Sequence, residues 1–308
     1  MASRLPNSLS VLRAFLTRAF GASHLETKAP PYVPQYASPD ITRIQKPDRE
    51  TIQLTWVGHS TFLIQVDGIN ILTDPIWSER ASPVGWLGPK RHARPGIRFH
   101  DLPRIDVVLV SHTHYDHLDR STIISLGNES RYIVPKRVGT WFKNENITNV
   151  VELPWWSKTA VQTVTIHAVP AKHWSKRWLF RNEQDIGWSG YVVETPVGTV
   201  YFAGDTGYHP EYFKDIGKNF NNIDVGLIPI GAYYPREVFG NYHIDPREAL
   251  KVHNEVGAKQ SVGMHWGVFK LTQESVAEPP LRLAEERDAL NIQPQEFSVM
   301  KIGESRSF

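Results

Sequence analysis

The segment that decides the fold is "VLVSHTHYDHLD", residues 108–119. It places three histidines and two aspartates directly behind the apolar run "IDVVLV" (105–110), which is typical of a strand buried on both faces. In layered α/β proteins, functional side chains gather just beyond the carboxyl ends of strands. We therefore interpret the segment as a strand end that carries chemistry and not as a solvated helix start.

The polar part of this segment has the pattern H-x-H-x-D-H, formed by His112, His114, Asp116 and His117. In an extended chain, alternate residues point to the same side, so His112 and His114 can face one cation together. A tight turn after them would bring Asp116 and His117 to a neighbouring position. The pattern predicts two ligands for each of two adjacent metal ions.

The composition limits the class of protein. A chain of 308 residues with 41% hydrophobic residues is long enough to bury a full core. Its 34 basic and 32 acidic residues nearly balance, so the chain has no global nucleic-acid footprint and any basic surface for a partner must be local. There is no cysteine, which excludes disulfides, thiolate nucleophiles and thiolate metal ligands. A metal site must therefore use histidine and carboxylate.

Residues 1–50 are predicted to form a region of their own. An amphipathic helix over 4–20 is followed by the proline-rich stretch "KAPPYVPQYASPD" (28–40), predicted to be an extended arm. Three interpretations of the helix compete: it packs on the protein's own body, it anchors the protein to a membrane surface, or it is an organelle transit peptide. No apolar stretch reaches the length of about 18–20 residues needed to cross a bilayer.

Residues 51–308 are predicted to form the domain that carries the site. Strands and helices alternate there in two similar halves, which predicts a layered α/β fold with two sheets between outer helices. Asp245 and Pro246 are predicted to begin a helix as N-cap and first residue. The predicted strands lie within 51–75, 105–110, 131–135, 160–171, 189–205, 223–231 and 260–267, and the predicted helices within 119–125, 136–145, 245–258 and 279–291.

Three further residues are candidates for the same site because each follows a predicted strand. They are His173, Asp205 and His265. A single histidine at a strand end is more often structural, but the shared position of all three favours a common role. His167 lies inside a predicted strand, and we interpret it as a packed or edge residue.

The order of these residues resembles the metallo-β-lactamase fold superfamily. A closer resemblance is to its N-acylphosphatidylethanolamine-hydrolysing phospholipase D family, which are zinc phosphodiesterases, and it covers roughly residues 30–300. It rests on "WVGHSTFLIQVDGINILTDPIWSERASPVGWLGPKRH" (56–92), "VPAKHWSKR" (169–177), "YFAGDTGY" (201–208), "HIDPREAL" (243–250) and "MHWGVFKLTQE" (264–274).

The resemblance implies a four-layer αβ/βα sandwich with two central mixed sheets, and two Zn²⁺ ions as cofactors. The implied ligands are His112, His114 and His173 for one zinc ion, Asp116, His117 and His265 for the other, and Asp205 between them. Nitrogen and oxygen donors without thiolate suit zinc, and they also accept manganese or iron.

Three residues are expected to act in catalysis. Asp116 is one of the implied ligands. His243 matches a histidine that the family places at the active site, although it would also suit a position just before a helix N-cap. Asp74 is expected to orient a ligand histidine, and the alternative is that it caps the turn before Pro75. His59 is expected to be structural, supporting the site through backbone bonds, and is not counted among the ligands.

The resemblance implies hydrolysis of N-acylphosphatidylethanolamine to an N-acylethanolamine and phosphatidic acid at a membrane surface. The loop 76–100 would dock on lipid because aromatic residues lie among basic ones there, and residues 173–181 form a second such stretch. The alternative is that the aromatics form a loop core and the bases a solvated rim. The expected partners are a phospholipid and a membrane, with no nucleic acid, and a homodimer is left open.

Two rival functions remain at this point. One is a metal-dependent lactonase or another phosphodiesterase acting on a soluble substrate. The other, of a different class, is an inactive metal-bound membrane or scaffold protein, which is disfavoured because all seven ligand positions are filled. The expected location is cytoplasmic with peripheral membrane contact, and the alternative is mitochondrial.

Overall fold

The computed structural model describes residues 32–177 and 186–308. The chain divides into two compact units, Met1–Val33 and Pro34–Phe308, and the second of them contains both sheets. The helix predicted over 4–20 lies outside the described residues, and a separate region over 1–50 stays a prediction. Among the described residues, no helix combines the length and the apolar character required to cross a membrane.

The first sheet joins the beginning of the unit to its end. Its strand order is β14-β1-β2-β3-β4-β5-β6, antiparallel from β14 to β3 and parallel from β3 to β6. The strands are β1 Gln53–Gly58, β2 Thr61–Val66, β3 Ile69–Thr73, β4 Val107–Leu109, β5 Arg131–Pro135, β6 Val150–Leu153 and β14 Ser305–Ser307.

The second sheet is built from the other half of the unit. Its order is β13-β12-β11-β10-β9-β8-β7, parallel from β13 to β10 and antiparallel from β10 to β7. The strands are β7 Lys158–Val161, β8 Val164–Val169, β9 Gly190–Glu194, β10 Thr199–Phe202, β11 Ile223–Pro229, β12 Ala258–Met264 and β13 Phe297–Ser298.

Helices flank both sheets. The predicted N-cap Asp245 is confirmed: its side chain accepts from the Glu248 backbone N–H, and Glu248 completes a capping box. A helix at 210–219 was not predicted. The helices are α1 Ile41–Gln45, α2 Arg120–Leu126, α3 Gly139–Asn144, α4 Pro210–Asn219, α5 Arg236–Phe239, α6 Pro246–Val256 and α7 Glu278–Ala289.

The core lies in layers because strand residues alternate between two apolar faces. Leu54 and Ile64 of the first sheet share one buried cluster with Ile166, Val192 and Leu227 of the second. The sheets therefore pack face to face.

The opposite face of the first sheet has its own apolar layer. Leu63, Val108 and Tyr132 pack there with Ile123 of α2 and Phe142 of α3. Helices also cover the second sheet, where α6 contacts β11 and β12. This arrangement confirms the predicted four-layer sandwich with two mixed sheets.

Candidate metal centre

The two sheets bring all seven predicted ligands together, because each lies just after the carboxyl end of a strand. The β4 strand leads into the loop with four of them, and the other three follow β8, β10 and β12. The seven are His112, His114, Asp116 and His117 on the first sheet, and His173, Asp205 and His265 on the second. Sequence position alone had predicted this convergence.

Three imidazoles form the first group. His112 Nε2 lies 2.8 Å from His114 Nδ1, and His173 Nε2 lies 3.3 Å from the same atom. His173 Nδ1 is 2.9 Å from the carbonyl oxygen of Tyr242, to which it can only donate. The Nε2 atom of neutral His173 therefore carries a lone pair directed at the other two rings.

The second group forms around Asp116. Its Oδ2 lies 3.3 Å from His117 Nε2 and 3.5 Å from His265 Nε2. His117 donates its Nδ1–H to Asp74 Oδ2 at 2.7 Å, which leaves the lone pair of neutral His117 on Nε2. Each group thus joins ligands from both sheets.

Asp205 lies between the two groups. Its Oδ2 is 3.1 Å from both His117 Nε2 and His265 Nε2. The same oxygen is 3.9 Å from His112 Nε2 and 3.8 Å from His173 Nε2. One carboxylate oxygen is therefore within reach of both groups, as a bridging ligand must be.

Several buried atoms of this cluster make no hydrogen bond of good geometry to the described residues, although charged groups lie close to some of them. They are His114 Nε2, His117 Nε2, His265 Nε2 and Asp205 Oδ1. Buried polar atoms are nearly always paired, since an unpaired one costs about 1–3 kcal/mol. Coordination to cations would satisfy these donor atoms, and the nitrogen and oxygen set suits zinc, manganese or iron. The residues fit a pair of metal ions, and their role as ligands stays a prediction.

Burial keeps the first group neutral. It lowers the pKa of His114 to about 3 and that of His173 to about 4, and together with the nearby imidazoles it holds the pKa of His112 well below the usual range. A neutral imidazole can offer a lone pair to a metal ion, whereas an imidazolium cannot.

In the second group, interactions between charged side chains outweigh burial in setting the pKa values. Burial alone would raise the pKa of Asp116 and Asp205, but the adjacent imidazoles, above all His117, hold both well below the usual range. Conversely, burial opposes protonation of His265, yet the Asp205 and Asp116 carboxylates raise its pKa to about 9. Without cations, these carboxylates draw protons onto the neighbouring histidines, so a bound metal ion would replace positive charge already favoured there.

Asp74 makes the contact that was expected of it. Its carboxylate is fully buried and accepts from Ser111 N at 2.7 Å, Ser111 Oγ at 2.6 Å and His117 Nδ1 at 2.7 Å. These bonds direct the carboxylate toward the site and not toward the turn at Pro75. An orienting role for Asp74 in catalysis stays a prediction.

His243 lies at the rim of the same cluster. Its Nδ1 is 3.9 Å from Asp205 Oδ2, and its ring centre is 5.1 Å from that of His173. The side chain is 14% exposed, more than the buried ligands beside it. Burial holds the pKa of His243 well below its usual range, so the ring is neutral. This position suits contact with a bound substrate.

His59 supports the site through its backbone, as expected, and also makes a side-chain contact that was not predicted. Its carbonyl accepts from His265 N at 3.1 Å, as a backbone support would, but its Nε2 also lies 3.0 Å from Asp116 Oδ2. The signal was available, because His59 follows β1 as the other site residues follow their strands. His59, Asp74 and His265 also have positive φ angles of 56°, 32° and 63°. Such backbone costs on the order of 1 kcal/mol or more per residue and clusters at functional sites.

Arg177 fastens the loop that carries the H-x-H-x-D-H pattern. Its Nη1 donates to the carbonyls of Thr113 at 3.1 Å and Leu118 at 2.7 Å. The guanidinium also lies 4.4 Å over the Tyr115 ring. In the second stretch expected to dock on lipid, this base thus points into the protein, and residues 178–181 of that stretch lie outside the described part.

Comparison with known proteins agrees with this fold. The profile of the Beta-lactamase superfamily domain matches residues 69–266. A metallo hydrolase from the archaeon Ignicoccus hospitalis superposes with a TM-score of 0.63 at 21% identity, covering 84% of this chain and 98% of that one, which shows the shared fold.

Two relatives narrow the class further. The chain is 38% identical over 264 residues to N-acyl-phosphatidylethanolamine-hydrolyzing phospholipase D 1 of Caenorhabditis elegans, covering 81% of this chain and 74% of the relative. It is 35% identical over 237 residues to the mitochondrial N-acyl-phosphatidylethanolamine-hydrolyzing phospholipase D of Saccharomyces cerevisiae, covering 74% of this chain and half of that one. The chain belongs to this phospholipase D family of metal-dependent hydrolases within the metallo-β-lactamase fold superfamily. The predicted family and enzyme class are confirmed.

Proposed function

We propose that the protein is a dinuclear zinc phosphodiesterase of phospholipase D type, which hydrolyses N-acylphosphatidylethanolamine to an N-acylethanolamine and phosphatidic acid. The observation that carries the proposal is the position of Asp205 Oδ2 between two groups of buried imidazole nitrogens. A bridging carboxylate between two ligand sets suits a pair of adjacent metal ions, as two-metal hydrolysis uses them. The names of the worm and yeast relatives supply the substrate class.

The predicted ligands form two sets, one for each metal ion. His112, His114 and His173 would hold one ion, and Asp116, His117 and His265 the other. When bound, a pair of metal ions makes water a nucleophile at neutral pH and neutralises charge that grows on a phosphate. Asp74 keeps the proton on His117 Nδ1, so that Nε2 stays available as a ligand.

His243 is the residue we assign to the substrate. It is neutral, lies beside Asp205 and is the most exposed of the histidines that contact Asp205. A neutral imidazole can donate one hydrogen bond to a phosphate oxygen or to the departing alcohol oxygen. Its removal should therefore slow hydrolysis without releasing metal.

We place the reaction at a membrane surface, with the protein bound peripherally. A cytoplasmic location is our first proposal, and the name of the yeast relative supports the mitochondrial alternative. A homodimer stays open, and no nucleic acid is proposed as a partner. A lactonase or a phosphodiesterase for a soluble substrate shares this scaffold and is the rival that an experiment must separate.

The test is to incubate the purified, zinc-loaded protein with N-acylphosphatidylethanolamine in detergent, phosphatidylcholine in detergent and a sugar lactone. Mass spectrometry identifies the products, and the reaction is run in heavy-oxygen water. We expect N-acylethanolamine and phosphatidic acid, with the heavy oxygen in the phosphate, and no product from Asp205→Asn. Turnover of the lactone without turnover of the phospholipid would overturn the proposal in favour of the soluble-substrate rival.

A further inference from the structure

The loop 76–100 divides into an inner frame and an exposed tip. Trp77 belongs to the frame: its Nε1 donates to the Ile97 carbonyl at 2.9 Å, and its ring lies edge-on to Phe99 at 5.6 Å. These two aromatics are half-buried and pack within the loop. For them, the interpretation as loop core is the one that the contacts support.

Arg91 is also part of the frame. Its Nε donates to the Ser78 carbonyl at 2.7 Å, and its other nitrogens donate to the carbonyls of Ile76 and Ala93. The guanidinium lies 4.9 Å over the Phe269 ring. Burial lowers the pKa of Arg91 to about 10, so it stays charged while its donors point inward. Arg91 therefore builds the loop and does not face lipid.

The frame is tied to both sides of the metal centre. Asp119, the last residue of the segment 108–119, accepts from Ser78 N at 3.1 Å and Ser78 Oγ at 2.8 Å. On the other side, His92 N donates to the carbonyl of Val268 at 2.7 Å. Val268 lies three residues after His265 in the chain. The root of the loop is thus fixed to segments that carry predicted ligands of both sheets.

The tip, residues 82–88, extends from this root. Arg80 pairs with Lys90 in antiparallel fashion, and Arg80 Nη1 donates to the Gly88 carbonyl at 2.6 Å, which closes the base of the tip. Trp86 is 76% exposed and Leu87 is 53% exposed. These two large apolar side chains are neighbours on a tip whose base is fixed. Together they form an exposed apolar surface of the kind that marks an interaction site.

We propose that the tip 82–88 inserts Trp86 and Leu87 into the interfacial layer of a phospholipid bilayer and so positions the metal centre over its substrate. This proposal rests on the proposed function. Besides the inward-facing Arg91, residues 76–100 hold four basic residues and one acidic residue, a local excess that suits the phosphates of a membrane surface. Tryptophan is the side chain most suited to the boundary between headgroups and acyl chains.

The absence of cysteine permits a local test in the full chain. In Leu87→Cys, a single nitrobenzoxadiazole fluorophore reports on the tip alone, and Leu281→Cys, on an exposed site of α7, is the matched control. We expect a blue shift and a rise in emission at position 87, and none at 281, when phosphatidylcholine vesicles are added. An unchanged emission at position 87 would overturn the proposal, whether or not the protein sediments with the vesicles.

A second measurement separates docking from hydrolysis. In Trp86→Ser/Leu87→Ser, hydrolysis of N-acylphosphatidylethanolamine in vesicles should fall at least about tenfold, because burial of two large apolar side chains is lost. Hydrolysis of the same lipid in detergent should stay at the wild-type rate, as should both rates in the control Trp156→Ser/Leu281→Ser. Equal losses in vesicles and detergent contradict docking, whereas a wild-type protein inactive on both contradicts the proposed function.

Discussion

Replacing Asp74 by asparagine should weaken metal binding without removing any predicted ligand. The Asp74 Oδ1 atom accepts from Ser111 N, while Oδ2 accepts from Ser111 Oγ at 2.6 Å and His117 Nδ1 at 2.7 Å. In Asp74→Asn, the amide oxygen can keep the first bond. The amide nitrogen then faces His117 Nδ1–H. Both groups are hydrogen-bond donors, whereas Asp74 Oδ2 is an acceptor in the wild-type protein.

His117 can relieve this conflict only by moving its proton to Nε2 or by turning its ring. Either change takes the lone pair away from the position next to Asp116 and Asp205. A hydrogen bond to a charged group contributes about 1.5–3 kcal/mol. The zinc affinity should therefore fall about 10- to 100-fold, the usual range when the partner of a ligand histidine is lost.

The assay is titration of metal-free protein with zinc in competition with a chelator of known affinity. Asp119→Asn is the matched control, because Asp119 is a nearly buried aspartate of the same region that bonds backbone and hydroxyl groups and no histidine. Thermal unfolding of both metal-free variants controls for folding. Wild-type zinc affinity in Asp74→Asn, or an equal loss in Asp119→Asn, would refute the reasoning.

Four further outcomes are expected. His112→Ala and Asp205→Asn should each abolish most hydrolysis together with bound metal, measured by elemental analysis. Arg177→Lys should lower zinc affinity by about tenfold in chelator competition, because one ammonium replaces a guanidinium that bridges two carbonyls. When the free metal concentration is 100 times the Kd, metal binding should add about 2.7 kcal/mol to the free energy of unfolding. Removal of the metal should therefore lower the Tm. Phe142→Ala should cost about 3–5 kcal/mol in denaturant unfolding with unchanged metal content.

Each of these four predictions can be contradicted by a specific result. Full turnover by either ligand variant would reject the two-metal reaction. Wild-type zinc affinity in Arg177→Lys would show that the loop keeps its shape without the guanidinium. A Tm that does not respond to chelation would mean that the metal is not held by the folded state. Loss of metal from Phe142→Ala would mean that the outer apolar layer supports the site directly.

Much of the candidate site was predictable because its residues combine two independent signals. Each predicted ligand has a side chain that binds metal, and each follows an apolar strand. Where parallel strands of one sheet end together, such residues must come close, so that His173, Asp205 and His265 could be grouped despite their separation in the chain. The alternation of strands and helices predicted the layers in the same way.

Other features depend on contacts that no local pattern encodes. The contact between His59 Nε2 and Asp116 Oδ2 joins residues that are 57 positions apart in the chain. Arg91 and Arg177 resembled surface bases because a cation in a loop is usually solvated, whereas their partners are carbonyls brought together by the fold. Strand β14, three residues long, gains its place only by pairing with β1 at the other end of the unit.

The division of ligands between the sheets has a consequence for the order of assembly. His112, His114, Asp116 and His117 belong to the first half of the chain, while His265 follows a strand near its end. During synthesis, the early histidines and the carboxylate leave the ribosome well before their counterparts exist. A cation captured at that stage would be held by half a coordination shell and exchange freely. Complete loading by the predicted ligands would therefore wait until β12 has joined its sheet, which would make metal acquisition a late step of folding.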